Sequence, residues 1–301
     1  MRQVFEELTS CRICPRQCGV NRYQAPGYCR AGALVRVAKA YLHHWEEPCI
    51  SGERGSGAVF FSHCNLRCVF CQNYVISSQG SGRDITLERL VHIFLELQAQ
   101  GAHNINLVTP THYTPHLRWS IQKARELGLT IPVVYNSSGY ERVESLRTLS
   151  GLVDIYLPDL KFFAPTVSQK WCSAGDYFSY ASQAVLEMLR QVGVPHFDRN
   201  GVLRSGLMIR HLLLPGGLED SKHIVDWVLD NLPRAVYLNL MAQYTPLGEA
   251  AHYPELSRRV SRQEYEELVD YALGRGLENG YIQDMDSAGT EYVPDFDLTG
   301  V

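Results

Sequence analysis

Three cysteines close together in the sequence constrain this chain more than any other feature. Cys64, Cys68 and Cys71 lie in the segment 62–73, directly after the apolar residues 58–61, which predict a short buried strand. Thiolates are soft ligands that hold zinc or iron–sulfur clusters. Three thiolates leave one iron of a 4Fe–4S cluster without a protein ligand, so that iron is open to a substrate. The alternative is a zinc site whose fourth ligand lies elsewhere in the chain.

The spacing of these cysteines, with the aromatic Phe70 just before the third, resembles the signature of the radical S-adenosylmethionine (SAM) superfamily. The resemblance implies a 4Fe–4S cluster held by Cys64, Cys68 and Cys71, with SAM bound at its open iron. It also implies reductive cleavage of SAM to a 5'-deoxyadenosyl radical that abstracts hydrogen from a substrate. Phe70 is then expected to contribute to the cofactor site.

A second group of cysteines lies near the N-terminus. Cys11, Cys14, Cys18 and Cys29 fall among prolines and glycines, in a segment too small to bury a core without help. A bound metal would supply the missing folding energy. Four thiolates fit zinc, which is slightly preferred, and they also fit a second 4Fe–4S cluster. We expect this metal to be structural and independent of the site at Cys64, Cys68 and Cys71.

Composition limits the cellular compartment and the classes of partner that we expect for this chain. A formal net charge of -4 and a pI near 6.3 give no electrostatic reason to expect a nucleic-acid or anionic-membrane partner. The N-terminal residues lack the apolar core of a signal peptide, and no apolar run reaches membrane-spanning length. Nine cysteines without an export signal favour metal ligation in a reducing compartment over disulfides. We therefore expect a cytoplasmic protein.

Short apolar segments that predict strands alternate with amphipathic segments that predict helices. The predicted strands are 58–61, 104–108, 131–135, 153–157, 207–214 and 235–241. The predicted helices are 87–100, 117–127, 141–149, 179–192, 219–231 and 262–273. This alternation predicts an α/β fold with a parallel sheet. The resemblance implies a partial (β/α)6 radical SAM barrel, whereas a doubly wound open sheet fits the alternation alone nearly as well.

The expected organisation has three parts. Residues 1–50 are predicted to be an N-terminal cysteine-rich metal-binding segment, and residues 51–260 the partial barrel. Residues 261–301 are predicted to form a C-terminal helix followed by an acidic tail.

Polar residues follow most of the predicted strands, where parallel α/β folds build their sites. From the residues alone, turns, helix caps and surface ion pairs are alternative explanations for them. The resemblance makes the following residues candidates for binding SAM: Thr109, Thr111, Asn136, Asp159, Lys161, Arg210 and Gln243. Arg210 lies within a predicted buried strand, so its charge needs an anionic partner, either the SAM carboxylate or an internal acid. His112 and His116 are four residues apart, and polar packing explains them better than zinc binding.

The combined features resemble the branch of pyruvate formate-lyase activating enzymes, within it a group with an N-terminal cysteine cluster and Gln72-Asn73 after the motif. Asp159-x-Lys161 is similar to a motif of glycyl-radical activating enzymes. The branch implies a protein substrate and an electron donor of the flavodoxin or ferredoxin type. Many activases carry a ferredoxin-type cysteine insert, but no cysteine lies between Cys71 and Cys172. A small-molecule substrate, or a non-catalytic iron–sulfur or zinc protein, therefore stays an open alternative.

Overall fold

A computed structural model describes residues 4–287 and 294–301. Its strands are β1 (Val35–His43), β2 (Ser56–Phe61), β3 (Arg83–Ile85), β4 (Ile105–Val108), β5 (Val133–Ser137), β6 (Ile155–Pro158), β7 (His196–Phe197), β8 (Leu203–Leu212) and β9 (Tyr237–Met241). Its helices are α1 (Pro48–Ser51), α2 (Tyr74–Ser77), α3 (Leu87–Ala99), α4 (Thr114–Glu126), α5 (Val143–Arg147), α6 (Pro165–Cys172), α7 (Tyr177–Val192), α8 (Leu218–Asn231) and α9 (Arg262–Gly274). Short 3-10 helices occupy Glu6–Leu8, Thr111–Tyr113, Gly248–His252, Pro254–Leu256 and Met285–Ser287.

Six parallel strands form the centre of the sheet, in the order β2-β4-β5-β6-β8-β9. Each corresponds to one predicted strand, and the predicted α/β fold is confirmed. β8 pairs with β6 through Gly206 and Leu207, and with β9 from Met208 to Leu212. The antiparallel strands β1, β3 and β7 extend the parallel set.

Burial explains why the parallel strands form where they do. All six residues of β2, and every residue of β4, β5 and β6, are buried, as expected for strands covered on both faces. The helix α3 is fixed at its start by Thr86, whose side chain accepts a hydrogen bond from the backbone N–H of Arg89. The helix α9 begins with a capping box formed by Ser261 and Glu264.

The N-terminal and C-terminal parts both contact the sheet. β1 falls inside the range 1–50 and pairs with β2 along most of its length, so the second half of that range adds a strand to the sheet. At the other end, the backbone N–H of Ala40 donates to the carbonyl of Thr299 at 2.8 Å. Residues 288–293 of the predicted acidic tail lie outside the described part. The division into three parts stays a prediction.

Among the helices of the described residues, none combines the length and the apolar character needed to cross a membrane.

Candidate active site

The three motif cysteines lie on the loop 62–73, which begins where β2 ends. Leu66 is fully buried there, and the side-chain amide of Asn65 donates to the carbonyl of Tyr140 at 2.8 Å. His63 and Arg67 have φ angles of 74° and 56°, a conformation that is costly for residues with a side chain. Strain of this kind persists where the surrounding structure imposes it, often at functional sites. The loop is therefore held in one unusual conformation.

Two sulfur atoms of this loop accept hydrogen bonds. The backbone N–H of Leu66 donates to Cys64 Sγ at 3.4 Å, and the Ser77 hydroxyl donates to Cys71 Sγ at 3.3 Å. Burial raises the pKa of Cys64 to about 12 and raises that of Cys71 as well. Without a metal the thiols would stay protonated, whereas a coordinated thiol is deprotonated.

The donor set fits a 4Fe–4S cluster with one open iron, because three thiols share one loop, with Cys64 and Cys68 buried and Cys71 partly buried. Across residues 4–287 and 294–301, no three Cys, His, Asp or Glu side chains are already arranged so that they could hold a metal ion.

A buried ion pair lies beside the loop, after β6. Lys161 Nζ and Asp159 Oδ2 are 2.6 Å apart, and both side chains are largely buried. Burial disfavours the ammonium, but the Asp159 carboxylate and then the nearby Cys68 thiol raise the pKa of Lys161 above its usual value. Lys161 therefore keeps its positive charge close to Cys68. The two residues predicted from the Asp-x-Lys motif and one motif cysteine come together here.

Thr109 and Thr111 follow β4. Thr109 has a φ of 61°, and its backbone N–H donates to the carbonyl of Asn136 at the end of β5. Thr111 donates its hydroxyl to the buried carboxyl of Glu141 at 2.6 Å. Burial raises the pKa of Glu141 to about 8, since its hydroxyl neighbours compensate only part of the lost hydration. Sequence analysis missed Glu141, because an acid at a predicted helix start suggests an exposed position.

The remaining candidates occupy the same edge of the sheet. Asn136 is buried at the end of β5. Gln243 follows β9, and its side-chain carbonyl accepts a hydrogen bond from Gln283 at 2.9 Å. Phe70 is buried and packs edge-on against Phe162, with ring centroids 5.8 Å apart.

Arg210 has internal acidic partners. Its guanidinium pairs with Glu46 and Glu47, which precede α1, and its Nε lies 2.8 Å from Glu47 Oε1. Asn239 donates to the same Glu47 oxygen at 2.7 Å. The internal-acid alternative for Arg210 is thus present in the structure, and a role toward SAM stays a prediction.

Both histidines after β4 contact backbone carbonyls through Nε2. His112 Nε2 lies 2.9 Å from the carbonyl of Ser62, and His116 Nε2 lies 2.9 Å from the carbonyl of Ala33. Burial lowers the pKa of His116 to about 4 and that of His112 well below its usual value, so both rings are neutral. Both histidines connect loops.

The four N-terminal cysteines lie in one short segment, where Cys11, Cys14 and Cys29 are buried and Cys18 is exposed. Gly27 lies where a side-chain carbon would come within 3.3 Å of Cys18 Sγ and 3.6 Å of Cys29 Sγ. Burial, with the neighbouring thiols of Cys29 and Cys11 adding to it, raises the pKa of Cys14 to about 12. The backbone closes the segment through a hydrogen bond from Gly19 to the carbonyl of Cys11. The donor chemistry suits zinc or a second cluster equally.

One cysteine outside the two predicted cysteine groups also lies at the site. Cys172, at the end of α6, places its sulfur 3.2 Å from Cys68 Sγ. No spacing in the sequence connects the two residues, which are brought together only by the fold.

Comparisons with known proteins identify the family. The Radical SAM superfamily model matches residues 58–228, more than half of the chain. An uncharacterized protein of Methanocaldococcus jannaschii is 31% identical over 272 residues, which are 87% of this chain and 74% of the relative.

Among solved structures, a domain of a pyruvate-formate lyase-activating enzyme from Bacteroides vulgatus is 16% identical, with a TM-score of 0.41 over 57% of this chain and 93% of that one. SuiB from Streptococcus suis is 12% identical, with a TM-score of 0.49 over 76% of this chain and 48% of that one. The enzyme anSMEcpe with bound AdoMet and a peptide is 14% identical, with a TM-score of 0.49 over 78% and 61%. With the family model matching the cysteine loop and most of the parallel sheet, this chain belongs to the radical SAM superfamily.

Proposed function

We propose that this protein cleaves SAM reductively at a 4Fe–4S cluster held by Cys64, Cys68 and Cys71. The observation that supports the proposal is the placement of three thiols on one loop, two of them buried, with the charged Lys161 near Cys68. When bound, the cluster supplies the electron that splits the sulfonium of SAM into methionine and a 5'-deoxyadenosyl radical.

The protein's own residues would orient SAM and keep water away. Asp159 and Lys161 form a buried pair of opposite charges that could meet the amino and carboxylate groups of the SAM methionine. Thr109, Thr111, Asn136 and Gln243 are polar groups at the same edge of the sheet. Phe70 and the buried loop would exclude solvent from the reacting atoms.

For the substrate, we propose a protein or peptide, as for a glycyl-radical activating enzyme, with a flavodoxin-type or ferredoxin-type electron donor. The Asp159-x-Lys161 motif supports this assignment. The absence of a cysteine between Cys71 and Cys172 favours the second candidate, a small-molecule substrate. Candidate substrates deuterated at carbon, where the label does not exchange with solvent, would separate peptide from small-molecule substrates. The true substrate transfers deuterium to 5'-deoxyadenosine.

The proposal is tested by anaerobic reconstitution with iron and sulfide, followed by SAM and dithionite. The expected product is 5'-deoxyadenosine, with none from a Cys71→Ala variant treated in the same way. A reconstituted protein that carries its cluster but forms no 5'-deoxyadenosine would favour a non-catalytic iron–sulfur or zinc protein instead.

A further inference from the structure

Arg16 joins the N-terminal cysteine segment to the cluster loop through its side chain. Its Nε donates to the carbonyl of Asn65 at 3.0 Å, and its Nη2 reaches the carbonyl of Leu66 at 3.4 Å. The same guanidinium donates to the carbonyl of Cys172 at 2.8 Å and to that of Ser173. One side chain therefore holds the loop between Cys64 and Cys68 and the end of α6.

Two aromatic rings fix the guanidinium in this position. Its central carbon lies 4.1 Å from the ring centroid of Tyr28 and 5.2 Å from that of Tyr140. Such contacts hold a cation in place and limit its hydration. Tyr28 precedes Cys29, and its ring also lies 5.8 Å from the guanidinium of Arg67 in the cluster loop. The carbonyl of Tyr140 accepts the hydrogen bond from Asn65.

The backbone of Arg16 belongs to the N-terminal cysteine site. Arg16 lies between Cys14 and Cys18, in a turn closed by a hydrogen bond from the N–H of Gln17 to the carbonyl of Cys14 at 3.0 Å. A metal bound by Cys14 and Cys18 would fix this turn and hence the direction of the Arg16 side chain.

We infer that Arg16 is a positioning residue through which the N-terminal metal site orders the radical cluster loop. The inference rests on the proposed function, because it concerns the cluster that Cys64, Cys68 and Cys71 would hold. The guanidinium fork satisfies several carbonyls at once, which an amide or an ammonium cannot reproduce. Its positive charge near the cluster also favours the reduced form of the cluster.

The test compares Arg16→Gln and Arg16→Lys with the matched control Arg12→Gln, a change at an exposed arginine of the same segment. Each protein is reconstituted anaerobically, checked for folding by circular dichroism, and challenged with an iron chelator. We expect Arg16→Gln to lose its cluster absorbance about five-fold faster than the wild type. The rate of loss for Arg16→Lys should lie between these two, and the rate for Arg12→Gln should equal that of the wild type.

A spectroscopic readout separates positioning from simple support of the fold. The reduction potential of the cluster should fall in Arg16→Gln, where the charge is lost, and stay near the wild-type value in Arg16→Lys. Cys14→Ser, which disables the N-terminal site, should speed cluster loss as Arg16→Gln does.

A folded Arg16→Gln with the wild-type rate of cluster loss and the wild-type potential would overturn the inference. A Cys14→Ser protein that lost its N-terminal metal but kept the radical cluster unchanged would overturn it too. Failure of the wild type itself to bind a cluster would instead refute the proposed function.

Discussion

The two cysteine groups lie against each other, yet they differ in number, shape and surroundings. The N-terminal group has four thiols in a short segment, enough to close the coordination of a metal. The loop group has three, on a strained loop with the charged Lys161 beside Cys68. The difference teaches that ligand count decides the role: four thiols complete a structural site, whereas three leave a position for a reactant.

Removing a thiol from the loop group should have the largest effect. We expect Cys64→Ala, Cys68→Ala and Cys71→Ala each to abolish the cluster's absorbance and all 5'-deoxyadenosine formation, because three thiolates are the minimum for a cluster with one open iron. Cys49→Ala, at a buried cysteine of a separate core cluster, is the control and should keep both. Cleavage of SAM at the wild-type rate by Cys71→Ala would show that Cys71 is not a required cluster ligand.

Disabling the N-terminal group should mainly cost stability. A protein with both Cys14→Ser and Cys29→Ser should lose its N-terminal metal and melt roughly 10 °C lower, since metal binding supplies folding energy to this segment. Metal analysis of the wild type gives the identity: about one zinc per chain supports the preferred assignment, and about eight irons without zinc indicate a second cluster. An unchanged melting temperature would mean that this group carries no structural metal.

The Arg210 cluster sharpens the comparison, because the positive charge of Arg210 is paired with two acids inside the protein. Arg210→Met would leave Glu46 and Glu47 buried without their cation, which should cost about 3–5 kcal/mol of unfolding free energy. Arg262→Met, at an exposed ion pair with Glu266, is the control and should cost at most about 1 kcal/mol. Calorimetric titration of Arg210→Lys with SAM completes the test. Unchanged affinity is expected, and a loss of about tenfold would show that Arg210 binds the SAM carboxylate.

Glu141 should make the stability of the folded protein depend on pH. The carboxyl is protonated in the folded protein up to about pH 8 but ionises near pH 4.5 when unfolded. The unfolded state therefore binds fewer protons between these values, and wild-type stability should fall as pH rises through this window, by about 1.4 kcal/mol per pH unit. Glu141→Gln should remove this slope, a gain of about 2 kcal/mol at pH 6. Parallel stability curves for the two proteins from pH 5 to 8 would contradict the assignment.

The sequence predicts the parallel sheet well, because its strands are continuous apolar runs bounded by polar turns. It does not predict β1, which pairs with β2 and follows directly on the cysteine-rich segment. Two assignments needed the family resemblance. One is the cluster-ligand role of the loop cysteines, and the other is the SAM-binding role predicted for Asp159 and Lys161. Neither pattern nor resemblance finds the contacts of Arg16, Cys172 and Glu141, since each depends on residues far apart in the chain. The expectation of an independent N-terminal metal treats the two cysteine groups as separate, and it stays a prediction beside the coupling proposed for Arg16.

The most direct test of the comparison is an electron paramagnetic resonance spectrum of the reduced, reconstituted protein before and after SAM is added. A cluster with an open iron should change its spectrum when SAM binds, while any cluster closed by four cysteines should not. The account predicts a SAM-dependent change that disappears in Cys68→Ala and persists in Arg12→Gln. A spectrum that SAM leaves unchanged, in wild-type protein with a full cluster, would contradict it.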